Sequence, residues 1–270
     1  MATESIPKTH SMCSNVAFGT ATVILLLASV FFMVAAVRNR FSEHTKPSDE
    51  EGKEGEEGTG KGKGAKVDPR FGLTFLISFV AFVSYFIMWF GHGHASTRRE
   101  QSGGSGGVSF LTAWARYADW LITTPLLLVD LLWVAGRHKP YDLVSIIVLD
   151  VVMIVLGWIA AFVMYSWPRY VLWALSTLTM LAIFAYLVYF RNREHFLTEE
   201  GEQNHDGEKE YKRYKASVPW IFVVWTLYPL VWIASKDGLA WIDTCQEVTS
   251  YAVLDVLAKA GFGAFLLYVV

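Results

Sequence analysis

Charge is scarce in this chain of 270 residues, where Asp, Glu, Lys and Arg make up 18% against roughly 25% in soluble domains. The net charge of −2 leaves no basic excess for nucleic acid. There is no Walker loop, GxGxxG turn or CxxC pair, so neither a nucleotide nor a zinc reading has support, and no metal ligands are expected. Cysteine is nearly missing. Cys13 and Cys245 are too few for a disulfide framework and read as small residues rather than as a bridge. What the chain does have is apolar: 53% hydrophobic and 15% aromatic residues, with 11 Trp and 18 Phe, and a mean hydropathy of +0.34. It reads as a membrane protein.

Apolar stretches long enough to cross a bilayer, about 20 residues each, recur at 16–37, 71–90, 108–134, 143–165, 170–190, 218–234 and 248–270. The expected fold class is therefore an all-α membrane protein, a bundle of seven transmembrane helices. Only Lys8 precedes the first stretch and no small-x-small cleavage site follows it, so it reads as a permanent span. Lys and Arg are concentrated in the loops after the first, third and fifth spans, with eight in 38–70 alone. By the positive-inside rule these loops face the cytoplasm, and residues 1–15 form an extracellular segment ahead of one transmembrane domain, 16–270. The expected location is the plasma membrane. The stretch 50–66, EEGKEGEEGTGKGKGAK, has no apolar residue except Ala65 and cannot bury enough surface to fold. It reads as a solvated linker, as does 191–215, and the Gly/Ser run 102–107 reads as a flexible outer connection. The chain is still apolar at Val270, which predicts a cytoplasmic tail beyond it.

Ionisable residues inside a span cost about 2.5 to 3.5 kcal/mol each on insertion scales and mark functional sites. The third span, ARYADWLITTPLLLVDLL, carries Arg116, Asp119 and Asp130. Asp119 and Asp130 are eleven residues apart, which returns to within about 20° of the same face at a rise of roughly 16 Å. The seventh span, YAVLDVLAKAGFG, carries Asp255 and Lys259 at i and i+4, one turn apart. A lysine at this depth is the least expected residue in the chain, and its amine is the side-chain group that forms imines with carbonyl compounds. A structural Lys259–Asp255 pair alone leaves the cost of Asp119, Asp130 and Arg116 unexplained. Trp225, Tyr228 and Trp232 share one face of the sixth span beside Pro229, with Trp173 and Trp120 on other spans. Such stripes around a lysine suggest a slot for a flat, apolar, carbonyl-bearing ligand such as a polyene aldehyde.

These residues resemble the microbial (type 1) rhodopsins, and among them the bacteriorhodopsin-like light-driven proton pumps. The resemblance spans all seven helices and is most specific in RYADWLITTPLLLVDL, WTLYPLVW and LDVLAKAGFG. It implies all-trans retinal as cofactor, held by Lys259 as a protonated Schiff base with Asp119 and Asp255 as counterions. It further implies Asp119 as proton acceptor and Asp130 as proton donor with Thr74 as hydroxyl partner. Asp119, Thr123 and Asp130 match the Asp-Thr-Asp signature of outward proton pumps; chloride pumps lack the first carboxylate and sodium pumps carry another triplet. Arg116 belongs to the same constellation. The implied pocket walls are Tyr85, Trp120, Thr124, Leu127, Met153, Gly157, Trp173, Ser176, Met180, Trp225, Tyr228, Pro229 and Trp232, with Asp150 a buried carboxyl near the ring. A leucine at position 127 resembles green-absorbing members. Glu247 and Asp237 fall where the family has its proton-release group, although the family has a glutamate at the second position and Lys236 stands beside it here. The Gly91 to Gly93 sequence GHG resembles fungal opsins and points to a eukaryotic source.

The implied function is a light-driven outward proton pump with retinal, lipid and the transported proton as partners, no nucleic acid and no enzymatic activity; a homo-oligomer is left open. A photosensory rhodopsin is the alternative, since sensors keep Lys259 and Asp119 and usually lack an acid at position 130. The second span lacks the glutamate series of light-gated channels. The DRY and NPxxY motifs of seven-helix hormone receptors are also missing.

Overall fold

The computed structural model describes residues 12–44, 70–100, 107–134, 140–190 and 205–269. The N-terminal segment up to residue 11, the charged stretch 50–66, the Gly/Ser residues 102–106 and the first part of 191–215 lie outside the described residues. Among those described are seven long helices, the last reaching membrane length only with its continuation, and one hairpin: α1 (Met12–His44), α2 (Arg70–Trp89), β1 (Ala95–Glu100), β2 (Gly107–Thr112), α3 (Trp114–Val134), α4 (Pro140–Phe162), α5 (Ser166–Phe190), α6 (His205–Ala234) and α7 (Thr244–Val256). Beyond α7 the helix continues without a break through a π-helical segment, Leu257–Gly261, a short α-helical turn, Phe262–Ala264, and a second π-helical segment, Phe265–Val269.

Six of these helices are long and apolar enough to cross a membrane by composition alone. The remaining one, α3, has 21 residues, which spans about 30 Å at 1.5 Å per residue. It is set apart by three charged residues, Arg116, Asp119 and Asp130. Leu27, Leu178 and Val223 are among many large apolar side chains left exposed on the outside of the bundle, the inverse of a soluble surface and what lipid requires.

The observed helices overrun the expected spans at several ends. Polar residues can extend a helix past the bilayer, so apolar length sets only a minimum. The first helix thus reaches from Met12 to His44, and α6 starts at His205 rather than near 218. The third span is corrected in the other direction. Its first residues, expected to be helical from 108, form β2, antiparallel to β1 with Ala95 opposite Thr112 and Glu100 opposite Gly107. Val108, Phe110 and Thr112 alternate and favour an extended strand, and the Gly/Ser run 102–106 separates the two strands. Gly91 and Gly93, with φ of 78° and 73°, make the turn from α2 into β1. A side chain at Gly93 would press a Cβ to 2.6 Å from that of Ala115 at the start of α3.

Cys13 and Cys245 are joined as a disulfide with their Cα atoms 5.8 Å apart. This corrects the reading of two unrelated small residues. They are 232 positions apart in sequence, and only the bundle closure, with α1 packed against α7, brings them together. The bridge lies on the hairpin side, beside the capping box in which Asp243 accepts from Gln246 N at 2.8 Å and Gln246 Oε1 accepts from Asp243 N at 3.0 Å.

Packing is concentrated in two apolar clusters. The larger joins α3, α4, α5, α6 and the seventh helix through residues such as Leu128, Ile183, Ile221 and Phe262, and the smaller joins α1, α2 and α7 through Phe18, Ala81 and Val248.

Candidate functional site

Lys259 is fully buried within the π-helical segment of the seventh helix. Its Nζ lies 2.9 Å from Asp119 Oδ2 on α3 and 2.6 Å from Asp255 Oδ1, one turn back on its own helix. An isolated charge here would be prohibitive, and the two carboxylates supply the compensation. They are not equivalent. Asp255 Oδ1 also accepts from Trp120 Nε1 at 2.9 Å and Tyr228 OH at 2.9 Å, and its Oδ2 accepts from Tyr85 OH at 2.6 Å. Among the described residues, Asp119 meets Lys259 as an ion pair without a comparable set of hydroxyl and indole donors. Thr123 turns back to donate to the Asp119 carbonyl at 2.9 Å. One turn before Asp119, the Arg116 guanidinium sits 4.4 Å from the centre of the Tyr251 ring, a cation–π contact.

A cavity of about 100 Å³ opens beside Lys259. Its walls are Trp120, Thr124 and Leu127 from α3, Met153 and Gly157 from α4, Trp173, Ser176 and Met180 from α5, and Trp225, Tyr228, Pro229 and Trp232 from α6. Tyr85 is the one expected wall residue that does not line it; its hydroxyl is spent on Asp255. Sequence reasoning missed Tyr117, Ile154, Thr177, Tyr251 and Ala258, which also face the cavity. Tyr251 was legible as the next member of the Tyr251, Asp255, Lys259 spacing, and Thr177 as one turn beyond Trp173.

Hydrogen bonds across helices hold these walls. Thr124 Oγ1 donates to Asp150 Oδ2 at 2.7 Å, Ser176 Oγ to the Met153 carbonyl at 2.8 Å, and Trp173 Nε1 to the Pro229 carbonyl at 3.2 Å. Trp173 and Trp232 stack with centroids 6.1 Å apart. The cavity is thus a mostly apolar slot with several indole walls and an amine in its lining, and it fits a long apolar aldehyde: a carbonyl at Lys259, a conjugated chain between indole rings.

Two further groups lie away from the lysine. Asp130 is fully buried toward the end of α3 opposite the hairpin, where Thr74 Oγ1 donates to its Oδ2 at 3.2 Å. On the hairpin side Glu247 and Asp237 are both buried. Lys236 Nζ lies 3.8 Å from Glu247 Oε2 and donates to the Leu111 carbonyl of β2 at 3.2 Å, so it ties the hairpin to α7.

Fold and site together define a seven-helix membrane protein with a ligand pocket built on a lysine. A sequence profile of the bacteriorhodopsin-like protein family matches residues 62–270. Bacteriorhodopsin-II of Haloarcula marismortui is 35% identical over 196 residues, covering 72% of each chain, and bacteriorhodopsin-I of Haloquadratum walsbyi is 36% identical over 205 residues, covering 74% of this chain and 75% of that one. The crystal structure of a light-driven proton pump from Leptosphaeria maculans superposes with a TM-score of 0.74 at 28% identity, covering 97% of both chains. Halorhodopsin, a light-driven chloride pump, shares the fold with a TM-score of 0.73 at 20% identity. The chain belongs to the bacteriorhodopsin-like family, the microbial rhodopsins. Its members are multi-pass membrane proteins that bind retinal as chromophore and serve as light-driven transporters or sensors, not enzymes.

Proposed function

We propose that this protein is a light-driven outward proton pump of the plasma membrane, with Lys259 as the attachment point of all-trans retinal. The observation that carries the reading is the pair of buried carboxylates on one face of α3, Asp119 in contact with Lys259 Nζ at 2.9 Å and Asp130 bonded to Thr74 at 3.2 Å. Bound retinal supplies a light-driven isomerisation that reorients the proton carried on the Lys259 nitrogen. The chain's own residues then determine where that proton goes. Asp119 Oδ2 is the acceptor, because Asp255 is already saturated by Trp120, Tyr228 and Tyr85 and holds its charge as a fixed counterion. Asp130 is the donor, whose proton returns to the Lys259 nitrogen from the opposite end of α3. Arg116 carries positive charge on the hairpin side of Asp119, and Glu247 and Asp237 are the groups that release protons there.

Two independent features support a hairpin side that faces outward. The loops at the other end of the bundle hold the excess of Lys and Arg. The Cys13–Cys245 disulfide lies on the hairpin side, and disulfides persist in oxidising surroundings. In this orientation residues 1–15 are extracellular, 16–270 form one transmembrane domain and 38–70 is a cytoplasmic loop. The test is illumination of cells making the protein in unbuffered medium. Acidification that a protonophore abolishes is the expected result; no pH change would turn the reading to a photosensory rhodopsin.

A further inference from the structure

Three hydroxyl side chains lie along one buried face of α2. Thr74, Ser78 and Tyr85 fall within about 40° of one another around the helix, and all three are buried. The outer two are engaged at opposite ends of the polar interior, Thr74 with Asp130 at 3.2 Å and Tyr85 with Asp255 at 2.6 Å. The middle one is not. Ser78 is fully buried and its Oγ makes no hydrogen bond to any described residue. Several other inward-facing hydroxyls return their proton to a carbonyl one turn back, as Thr123 does to Asp119 and Thr177 to Trp173, both at 2.9 Å, while buried Ser217 on α6 shares the unpartnered state of Ser78. Ser78 departs from that habit. A buried hydroxyl with no protein partner is costly, and a buried water is its usual complement.

Its level in the bundle is defined by the seventh helix. A Cβ on Gly263 would overlap Thr74 Cγ2, so these two residues are in direct apposition. The second and seventh of seven alternating spans run in opposite senses. The turn from Thr74 to Ser78 along α2 therefore parallels the turn from Gly263 back to Lys259, and α2 does contact the π-helical segment that carries Lys259. Along α2, Ser78 is about 6 Å from Thr74, a gap that one water bridges with two hydrogen bonds of about 2.8 Å.

We propose that Ser78 holds a water between Asp130 and Lys259, and that it is a positioning residue for the proton returning to the Lys259 nitrogen. The inference rests on the proton-pump reading. The roughly 16 Å rise between Asp130 and Asp119 is too long for direct transfer. The Asp130 O–H bond breaks as its proton passes to the first of a file of waters in which the Ser78 water is a fixed member. Each water gives one of its own O–H protons to the next, and the last gives one to the Lys259 nitrogen. Every water is restored, Asp130 is left as a carboxylate, and a proton from solvent at the end opposite the hairpin refills it.

The experiment compares Ser78→Ala, Ser78→Thr and Asp130→Asn in retinal-loaded membranes. After a flash, recovery of the resting visible band in Ser78→Ala should slow about tenfold, less than the hundredfold or more lost with a positioned acid itself; azide should restore it, and Ser78→Thr should recover at nearly the parental rate. The second readout is independent of turnover. An infrared O–H stretching band that shifts in H₂¹⁸O should be present in the parent and in Ser78→Thr and lost in Ser78→Ala. Parental recovery in Ser78→Ala, or persistence of that band, overturns the role of Ser78 while a slow Asp130→Asn leaves the donor reading standing. Parental recovery in Asp130→Asn overturns the donor reading itself. Should Ser78→Ala fail to bind retinal, Ser78→Cys and Ser78→Gly replace it with the same two criteria.

Discussion

Lys259 carries the only buried amine in contact with the aromatic cavity among the described residues, and the chemistry of the site turns on it. Lys259→Ala should yield a protein that forms no stable visible pigment with all-trans retinal; a normal visible band on reconstitution would remove Lys259 from its proposed role. Asp119 faces that nitrogen at 2.9 Å, and its negative charge stabilises the ground state more than an excited state in which positive charge has moved along the chain. Asp119→Asn should therefore shift the absorption band to the red and stop light-driven acidification. If acidification continued in this variant, the acceptor would have to be another carboxylate. The role proposed for Asp130, that of donor, has a different signature. With the donor gone in Asp130→Asn, the proton must come from bulk water, so recovery after a flash should slow and become proportional to proton concentration between about pH 5 and 8, with azide restoring the rate. Recovery as fast and as pH-independent as in the parent would make Asp130 a structural carboxyl.

Between elements, the close approach of α2 to the seventh helix depends on a glycine. Gly263→Ala would drive a Cβ into Thr74, and overpacking of this kind costs about 1 to 3 kcal/mol. Thermal bleaching should occur at a lower temperature, and flash recovery should slow because the Thr74–Asp130 bond lies at the strained contact. An unchanged bleaching temperature would mean that the two helices can part at no cost. The existence and order of the helices could be read from apolar length, and the intramembrane Asp119, Asp255 and Lys259 and the aromatics Trp120, Trp173, Trp225, Tyr228 and Trp232 from charges and rings at helical spacing, whereas wall residues such as Thr124, Leu127, Met153, Gly157, Ser176 and Met180 came only from the resemblance. Other features depend on partners far away in the chain. The β1–β2 hairpin is hidden because Val108, Phe110 and Thr112 look like the start of a span until Ala95–Glu100 is seen beside them. The π-helical turn at Lys259 has no composition of its own. Tyr85 illustrates the same limit at the site, since nothing local tells whether its ring faces the cavity or its hydroxyl reaches Asp255.

For the molecule as a whole, orientation and covalent closure are linked through Cys13 and Cys245. On intact cells a membrane-impermeant maleimide should label neither cysteine until a membrane-impermeant reductant is added, and both afterwards. Labelling confined to inverted vesicles would reverse the orientation proposed above. Replacing both cysteines by serine should lower the bleaching temperature, with a loss on the order of 2 to 4 kcal/mol, and leave the resting colour unchanged, because neither residue lines the cavity. Joined in this way, the segment from Cys13 to Cys245 is a closed ring that threads the membrane six times and contains the hairpin, while Lys259 sits on the arm that leaves it. A protease that cuts once in the Lys-rich stretch 50–66 opens the ring without dividing the molecule. The two fragments travel as one chain on a non-reducing gel until a reductant releases the piece that carries α1, while Lys259 and every residue that lines the cavity remain together on the longer fragment.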